Sequence, residues 1–550
     1  MKRMKKIMAL LLGLVMAMAM CMTAFAADST NLTIKTTDGH TYKIYQILKG
    51  DVSGLSDGKG TLANVEIGSS VTDSSATAES IVNDLMNKAD GALGNAAYGY
   101  VEGGTAVATV VGNGKEITTE LAEGYYVVTD EYTTTGSDSL SRYLVAVAGP
   151  TTMEPKTETP SIDKKIIDTD KNQAMDDYGK TDTAAIGDTI EYEVTGTVPN
   201  YDGYTYYYYV VDDTLSKGLT LDADSFAVKV GETTLTKGTN YYVYTSTNAD
   251  GTTNFRLAFE NIKDYTVGAA ISIKYNATVN EDAVIGTDPN TNTAKLIYSN
   301  NPSQSERGDK EGVPGEPGGN VPTGETPDYI TKTYVTQIEL TKVDQDGNAL
   351  NGAGFTLTGD NLTKVKITTA TSFTEAAEGT YYKLKTGAYT TTAPTEATAD
   401  LYENTETKYT KTTSATVTDA TVDGAKKTIT ATVGDDGILT FTGLDKGTYI
   451  LTETTTPTGY NTIDPINFTI NGAIDGASAT EGGNITWSSD NQSLTWDAAN
   501  QTFKITITNI AGKLLPSTGG IGTTIFYVAG TILVLGAAVL LITKKRMRRA

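Results

Sequence analysis

The sequence predicts an all-β protein of tandem β-sandwich domains in an elongated array, with one short helix in the first domain. Threonine, tyrosine and valine are abundant, only 20% of the residues are charged, and many of the 55 glycines fall in turn-like stretches. Segments such as GDTIEYEVTGTVP (187–199) alternate apolar and polar residues with the period of two of a half-buried strand. At about 150 residues per domain, a chain of 550 residues corresponds to three or four domains.

Residues 1–26 have the features of a secretory signal. Four basic residues lie between positions 2 and 6, an apolar stretch covers 7–22, and Ala24-Phe25-Ala26 supplies the small-x-small pattern of a cleavage site. We therefore expect the mature chain to begin at Ala27.

The segment 513–550 combines a short motif, an apolar run and a basic tail. The run 521–543 exceeds the roughly 20 residues that a helix needs to cross a bilayer, and the basic tail would hold the C-terminus in the cytoplasm. The motif resembles the LPxTG signal that sortases of Gram-positive bacteria cleave. Its residues are Leu515, Pro516, Ser517, Thr518 and Gly519. The alternative is an ordinary single-pass anchor with an incidental LPSTG.

Processing at both ends would make the chain more acidic. The two removed pieces carry nine basic residues and no acidic ones, which takes the net charge from −23 to −32. Such a surface repels nucleic acid and anionic membranes, so nucleic-acid binding is excluded. The single cysteine, Cys21, lies in the signal, and the mature chain therefore has no disulfide available.

We expect an N-terminal domain over 27–157. NLTIKT, YKIYQIL, LAEGYYVVTDEY and RYLVAVAG are strand-like, and 74–88 predicts the helix, capped by Asp73 or Ser74. The apolar stripe of that helix consists of Ile81, Val82, Leu85 and Met86. TTMEPKTETP (151–160) predicts an extended linker with Lys156 in its middle, because proline disfavours helix in the residue before it.

A second domain with a Gly- and Pro-rich linker is expected over 158–333, and a third over 334–512. The Thr-rich span 360–430 predicts an insertion of extra strands or a long loop.

Conventional catalytic centres lack their parts in this sequence. His40 is the only histidine, it lies in an Asp38-Gly39-His40 turn, and the mature chain has no cysteine. A serine hydrolase, a cysteine protease and a zinc site are therefore excluded. We expect no cofactor and no metal.

Three polar residues in the third domain fall on apolar strand faces. Lys342 shares a face with Ile338 and Leu340 in QIELTKV; likewise, Glu453 follows the face of Tyr449 and Leu451, and Asn509 that of Phe503, Ile505 and Ile507. If the three strands are neighbours, a lysine, a glutamate and an asparagine meet in one core. Unpaired buried charges are costly, so these side chains should interact.

Burial lowers the pKa of a lysine and raises that of a glutamate. A neutral Lys342 could then attack the amide of Asn509, with the acid Glu453 polarising its carbonyl group. The product is an isopeptide bond, and ammonia is lost. In the alternative, Lys342 extends outward at the strand end and Asn509 only caps the last strand.

KVD near the domain start, the GTYILTET segment, Gly459-Tyr460 and an asparagine before LPxTG together resemble collagen-adhesin B-type (CnaB) domains, which are immunoglobulin-like β-sandwiches. The resemblance implies that Lys342 and Asn509 form the cross-link and that Glu453 promotes it.

The second domain resembles the related A-type (CnaA) pilin domain. Lys164 shares a face with Ile162 and Ile166 and is preferred to Lys165 as the nucleophile. The resemblance implies a bond to Asn292, promoted by the aspartate Asp213. The alternatives are Asp212 for the acid and Asn290 or Asn300 for the amide.

The whole arrangement is similar to the shaft (backbone) pilins of sortase-assembled Gram-positive pili. That resemblance implies a pilin-class sortase that cleaves after Thr518 and joins Thr518 to Lys156 of the next subunit. The chain departs from the usual acceptor motif, since Glu154 replaces an aromatic or aliphatic residue and Thr157 an asparagine.

The implied function is that of a structural subunit and not of an enzyme, located on a cell-wall-anchored surface pilus. The implied partners are other copies of the chain, minor pilins, and peptidoglycan through a housekeeping sortase, with a host or glycan ligand as a further candidate. The alternatives are a monomeric wall-anchored adhesin, a minor tip or base pilin, and a conventional secreted enzyme.

Overall fold

The computed structural model describes residues 30–56, 59–88, 92–132, 139–155, 159–167, 174–308, 321–424, 426–512 and 521–547. The expected signal (1–26), the acceptor Lys156 and the sorting motif Leu515–Gly519 lie outside the described residues. The predicted all-β, multi-sheet architecture is confirmed.

The N-terminal region forms two sheets, and two helices pack against the larger one. Its strands are β1 (Asn31–Lys35), β2 (His40–Ser56), β3 (Lys59–Ile67), β4 (Ala108–Val111), β5 (Glu116–Glu120), β6 (Gly124–Tyr132), β7 (Arg142–Val147) and β8 (Thr151–Met153). One sheet has the order β5-β1-β8, and the other has the order β3-β2-β6-β7 with β4 on β2. The segment 151–160 thus begins as a strand, parallel to β1.

Two helices, where the sequence predicted one, pack in this region. Helix α1 (Ala78–Leu85) starts later than expected, because Thr77 and Ser80 form a reciprocal capping box and replace the predicted cap. Ile81, Val82 and Leu85 are buried, as the stripe predicted. Helix α2 (Leu93–Val101) was not predicted.

The middle region is a sandwich of two sheets. Its strands are β9 (Ile162–Ile166), β10 (Thr181–Thr183), β11 (Thr189–Thr197), β12 (Tyr209–Leu215), β13 (Leu219–Val230), β14 (Thr233–Thr234), β15 (Tyr241–Thr247), β16 (Thr253–Phe259), β17 (Ala270–Val279), β18 (Asn290–Ser299), β19 (Thr323–Glu325) and β20 (Tyr329–Tyr334). The orders are β14-β13-β17-β11-β9 and β10-β20-β18-β12-β16-β15, with β19 on β18.

The core of this sandwich is rich in tyrosine, and the predicted alternation of β11 is confirmed. Ile190, Tyr192 and Val194 are buried, whereas the glutamates between them are partly exposed. Each inward position on these strands therefore faces the opposite sheet across an apolar core.

The C-terminal region is a second two-sheet sandwich. Its strands are β21 (Thr336–Asp344), β22 (Gly354–Gly359), β23 (Lys364–Glu375), β24 (Tyr382–Lys383), β25 (Tyr389–Thr390), β26 (Tyr409–Asp419), β27 (Thr421–Asp423), β28 (Lys426–Thr432), β29 (Ile438–Leu444), β30 (Gly447–Thr455), β31 (Ile466–Asp475), β32 (Asn484–Ser489), β33 (Leu494–Asp497) and β34 (Thr502–Asn509). The orders are β26-β23-β29-β21-β34-β33 and β27-β28-β22-β30-β31-β32.

The Thr-rich span 360–430 consists mainly of added strands. β23 and β26 pair along most of their length and extend one sheet, and the β24–β25 hairpin lies in the connection between them. Phe373 stacks on Tyr389 there with ring centroids 3.9 Å apart.

The two sandwiches are joined without a loop, since β20 ends at Tyr334 and β21 begins at Thr336. Val335 belongs to the core of the first sandwich and Tyr334 to the core of the second. The predicted division near residue 333 thus falls at a point where one strand runs into the next.

The C-terminal helix α3 (Ile521–Met547) contains the apolar run. Within the described part of the chain, one helix is long and apolar enough to cross a membrane; its span is Phe526–Lys545, with a mean hydropathy of 2.3.

Candidate functional site

The first cluster lies in the core of the middle sandwich. Lys164 projects from β9 between the buried Ile162 and Ile166, while Asp213 and Asn292 come from β12 and β18 of the facing sheet. β12 and β18 are neighbours, and their register sets Asp213 opposite Ala294 and Leu215 opposite Asn292. The lysine, the aspartate and the asparagine are each 0% exposed.

A tyrosine hydroxyl connects the members of this cluster. Lys164 Nζ lies 2.5 Å from Asp213 Oδ2 and 2.6 Å from Tyr275 Oη. The same hydroxyl lies 2.6 Å from Asp213 Oδ2 and 3.1 Å from Asn292 Nδ2. The other oxygens, Asp213 Oδ1 and Asn292 Oδ1, are buried without a hydrogen-bond partner among the described residues.

Burial moves both charged groups of the cluster toward their neutral forms. Desolvation lowers the pKa of Lys164 to about 8, although the charge of Asp213 opposes the change. Desolvation also raises the pKa of Asp213, against the effect of the lysine. The amine of Lys164 therefore loses its proton more readily than an exposed lysine, and it lies beside a carboxyl group that holds a proton more readily than an exposed aspartate.

The alternatives that the sequence left open lie elsewhere. Asp212 accepts a hydrogen bond from Asn254 Nδ2 at 2.7 Å on the other face of β12. Asn290 is buried, but its amide group bonds the backbone of Val284. Asn300 donates to Tyr132 Oη at 3.2 Å, toward the N-terminal region.

The second cluster lies in the C-terminal sandwich. β21 and β34 run parallel as neighbours, with Lys342 opposite Ile507 and Asp344 opposite Asn509. Glu453 comes from β30 in the facing sheet. Lys342 and Asn509 are 0% exposed and Glu453 is 4% exposed, so the structure brings the three predicted residues together.

The contacts of this cluster form a direct chain from amine to amide to acid. Lys342 Nζ donates to Asn509 Oδ1 at 2.6 Å, and Asn509 Nδ2 donates to Glu453 Oε1 at 2.9 Å. The second oxygen of Glu453 accepts the backbone N–H of Ile463 at 3.1 Å, which fixes the carboxylate. Desolvation lowers the pKa of Lys342 to about 8.

Both clusters can support amide exchange between side chains. Each contains an amine that loses its proton readily, an amide within a buried contact network and a carboxyl group able to handle protons. A water-excluding core also prevents hydrolysis of the amide from competing.

Sequence reasoning missed two members of the first site. Tyr275 continues the apolar alternation of β17, and no pattern distinguishes it from other core tyrosines. Lys180 is buried, and its Nζ contacts Asp163 and the carbonyl oxygen of Lys164. The sequence around Lys180 has no clear strand alternation, so nothing in it indicates that this lysine is buried.

Around the expected acceptor Lys156, only the flanking residues are described. β8 ends at Met153, and the exposed Glu154 pairs with Lys35 at 3.1 Å. The expected donor Thr518 and the rest of the LPSTG motif lie outside the described residues.

His40 is part of a buried pair in the N-terminal region. It begins β2, and its Nδ1 lies 2.7 Å from Asp130 Oδ1. The pair belongs to the interior of this region, since both side chains are almost fully buried.

Three family models match separate parts of the chain. Residues 186–302 match the Gram-positive pilin backbone subunit 2, Cna-B-like domain. Residues 395–482 match a prealbumin-like fold domain, and 507–547 match the LPXTG cell wall anchor motif. The first description is Cna-B-like, whereas the sequence resemblance implied the A-type for that region. The anchor match and the apolar helix α3 assign the protein to the cell wall surface, with a transient membrane anchor.

One curated relative and several solved structures are similar. The trypsin-resistant surface T6 protein of Streptococcus pyogenes serotype M6 is 32% identical over 180 residues, which cover 30% of this chain and 30% of that protein. The match thus spans less than a third of the relative's length.

Two solved structures align along most of the chain. The T6 backbone pilin of serotype M6 Streptococcus pyogenes aligns over 89% of this chain and 100% of its own, at 17% identity and a TM-score of 0.49. The major pilin SpaD of Corynebacterium diphtheriae aligns over 88% and 98%, at 16% identity and a TM-score of 0.44. By these matches, the chain contains a Gram-positive pilin backbone Cna-B-like domain, a prealbumin-like fold domain and an LPXTG cell wall anchor motif.

Proposed function

We propose that this protein is a shaft subunit of a covalently polymerised surface pilus, stiffened by two internal isopeptide bonds. The observation that carries the proposal is the pair of buried lysine–carboxylate–asparagine clusters in a chain that also matches the LPXTG anchor. Apolar side chains would fill these core positions at a lower cost, because burying charged groups destabilises a fold unless they are paired. The presence of such a cluster in each sandwich therefore indicates a chemical role.

In the middle sandwich the bond joins Lys164 to Asn292, and Asp213 promotes it. Nζ attacks Cγ of the asparagine, the Cγ–Nδ2 bond breaks, and ammonia leaves with the proton that the amine gives up. Because β9 and β18 belong to facing sheets, this bond ties the two layers together.

In the C-terminal sandwich the bond joins Lys342 to Asn509, and Glu453 promotes it. Here the bond links two adjacent parallel strands near the start and the end of the domain. Each cross-link closes a loop of well over a hundred residues, and by the chain-entropy estimate each contributes roughly 5 kcal/mol to stability.

Subunits are joined by a sortase between Thr518 of one copy and Lys156 of the next. The support is the LPXTG match at one end and, at the other, a lysine three positions after the end of β8 and two positions after the exposed Glu154. A pilin-class sortase and other copies of the chain are the required partners. Minor pilins and peptidoglycan, the latter through a housekeeping sortase, would complete the assembly.

The test is a Lys156→Ala substitution in the native host, with surface material separated on a denaturing gel. The wild type should give a ladder of high-molecular-weight species and the variant should lose it. Lys115→Ala, an exposed lysine in the same region, is the matched control and should keep the ladder. A ladder that persists in Lys156→Ala refutes the linkage, and no ladder in the wild type favours a monomeric wall-anchored adhesin.

A further inference from the structure

We propose that Tyr275 is a catalytic residue of the Lys164–Asn292 cross-linking reaction, in which its hydroxyl group relays a proton from Asp213 to the departing amide nitrogen of Asn292. The inference rests on the proposed function, and it distinguishes the middle sandwich from the C-terminal one, whose site contains no such hydroxyl among its described contacts.

The aromatic ring of Tyr275 is held rigidly in the core. Tyr192 lies opposite it on β11 with ring centroids 5.4 Å apart, and Phe255 and Phe226 lie at 4.9 and 5.5 Å. Rings packed at these distances fix one another in place. The hydroxyl therefore stays at one position between the acid, the amine and the amide.

The two sites differ in how the acid reaches the amide. In the C-terminal site Glu453 Oε1 accepts directly from Asn509 Nδ2 at 2.9 Å. In the middle site Asp213 Oδ2 contacts Lys164 and Tyr275, and Asn292 Nδ2 contacts the tyrosine oxygen at 3.1 Å. In the middle site the hydroxyl of Tyr275 thus bridges the acid and the amide, whereas in the C-terminal site Glu453 contacts the amide directly. Aspartate is one methylene shorter than glutamate, so a bridging group compensates for the shorter reach.

The proton transfers balance without any outside reactant. Neutral Lys164 Nζ forms a bond to Asn292 Cγ. Asp213 gives its proton to Tyr275 Oη, and the tyrosine gives its own proton to Nδ2. The Cγ–Nδ2 bond then breaks, ammonia leaves, and Asp213 recovers a proton from Nζ. Tyrosine and aspartate end as they began, and only the amide has exchanged its nitrogen.

The surroundings keep the hydroxyl protonated until it is needed. Burial, with a smaller contribution from Asp213, raises the pKa of Tyr275 well above its ordinary value. A neutral phenol accepts one proton as it donates another, which is what a relay requires.

The experiment compares Tyr275→Phe with wild type in the full chain. The chain is produced in a short pulse, and branched peptides for both cross-links are quantified by mass spectrometry during a chase. Tyr275→Phe should slow formation of the Lys164–Asn292 bond about 100-fold or more, in line with the usual 10²–10⁴-fold contribution of a positioned proton donor. The Lys342–Asn509 bond should form in the same molecules at the wild-type rate.

Tyr209→Phe is the matched control. Tyr209 is also a fully buried core tyrosine, and its hydroxyl has no hydrogen-bond partner among the described residues. Both bonds should form normally in that variant. An unchanged rate in Tyr275→Phe overturns the relay, while a wild type without the Lys164–Asn292 bond contradicts the proposed function itself.

Proteolysis distinguishes a catalytic role of Tyr275 from a role in packing alone. Asn292→Ala provides a middle sandwich that cannot be cross-linked yet keeps its tyrosine. Tyr275→Phe should resist protease as well as Asn292→Ala does. Faster digestion of Tyr275→Phe would assign the tyrosine to packing and overturn the proposal.

Discussion

The contacts of single side chains separate the two clusters at the residue scale. Lys342 and Lys164 are both buried and both have a pKa lowered to about 8 by desolvation, yet only Lys164 touches its carboxylate directly. Lys342 instead donates to the amide that it is proposed to attack. In the C-terminal site the carboxyl group of Glu453 therefore contacts the asparagine and not the lysine.

Glu453→Gln should stop formation of the Lys342–Asn509 bond. The amide that replaces the carboxylate can still accept from Asn509, but it cannot supply or take up a proton, so a loss of about 100-fold or more in rate is expected. The measurement is the ammonia loss in peptides of the C-terminal sandwich.

Glu339→Gln is the control for that change. Glu339 lies on β21, one of the two strands to be joined, but on its solvent-facing side near Lys504. Normal cross-linking is expected there. Normal cross-linking in Glu453→Gln would show that the carboxylate is dispensable.

A chain that cannot form the second bond should gain stability with rising pH. Desolvation lowers the pKa of Lys342 to about 8 from its ordinary value of 10.5, and we expect this lowered pKa to persist in Asn509→Ala, where the lysine stays buried. The unfolded chain then binds more protons between these values, and the free energy of unfolding rises through that window. The gain is about 3 kcal/mol at most, from roughly 2.5 pKa units.

The comparison that isolates this effect adds Lys342→Met to Asn509→Ala. The two variants share every other titrating group, so the difference between their unfolding free energies at pH 7 and pH 10 reports Lys342 alone. A difference that does not change with pH would contradict the burial of a protonatable amine.

Strand periodicity accounts for much of the candidate site. It set Lys342, Glu453 and Asn509 on inward faces, because one face of a half-buried strand is chemically visible in the sequence. It could not indicate Tyr275, since a tyrosine suits an apolar position whether or not its hydroxyl has a task. Periodicity also could not show that Asp213 contacts Lys164, because the two residues lie on facing sheets and their distance depends on how those sheets pack.

At the element scale, helix α2 forms although its own sequence does not favour a helix. Its sequence, LGNAAYGYV, contains two glycines, which disfavour helix, and it has no side-chain cap. Gly94 explains why the helix nevertheless forms there. A Cβ at Gly94 would lie 1.9 Å from the carbonyl oxygen of Arg142, so the glycine permits close contact with β7. Tertiary packing stabilises the helix, and a single sequence does not contain that information.

The joint between the sandwiches depends on Gly443 at the end of β29. Its φ is +95°, and a Cβ there would lie 2.5 Å from Ile186 Cδ1 and 2.9 Å from Ile186 Cβ. Ile186 is in turn bonded to both Gly443 O and Lys364 N. The contact joins the segment between β10 and β11 of the middle sandwich to β29 and β23 of the next one.

Gly443→Ala should therefore destabilise the protein by more than the cost of backbone strain alone. Gly459 has a similar φ of +91° but open space around its Cβ position, so Gly459→Ala carries only the backbone cost of about 1 kcal/mol. Gly443→Ala should cost 1–3 kcal/mol more, in line with overpacking of a filled site. Thermal unfolding of the two variants measures the difference, and equal losses would rule out the steric contact.

At the scale of the whole molecule, the two clusters lie between the proposed attachment points. Load that enters at Lys156 and leaves at Thr518 passes through both sandwiches and bypasses the N-terminal region. The last two strands of that region, β7 and β8, contain no asparagine. We therefore expect two ammonia losses in the mature protein, neither within residues 28–150, and peptide mass measurement would reveal any third loss there.

The Lys342–Asn509 bond should make the C-terminal sandwich inextensible. β21 and β34 are adjacent and parallel, so tension applied at their remote ends passes across the bond without unzipping the sheets. Asn509→Ala should release the 167-residue segment between the two positions. At roughly 3.4 Å per residue, the added length is roughly 550–600 Å.

Single-molecule pulling can measure that length, because the mature chain has no cysteine and introduced ones give unique handles. Glu154→Cys and Ile510→Cys, both at exposed positions, bracket the two sandwiches and leave the N-terminal region out of the load path. Asn500→Ala, at an exposed asparagine, is the control and should stay inextensible. If the wild type itself lengthens by the full segment, the Lys342–Asn509 bond does not carry load, and that cluster would be a buried polar network without a mechanical role.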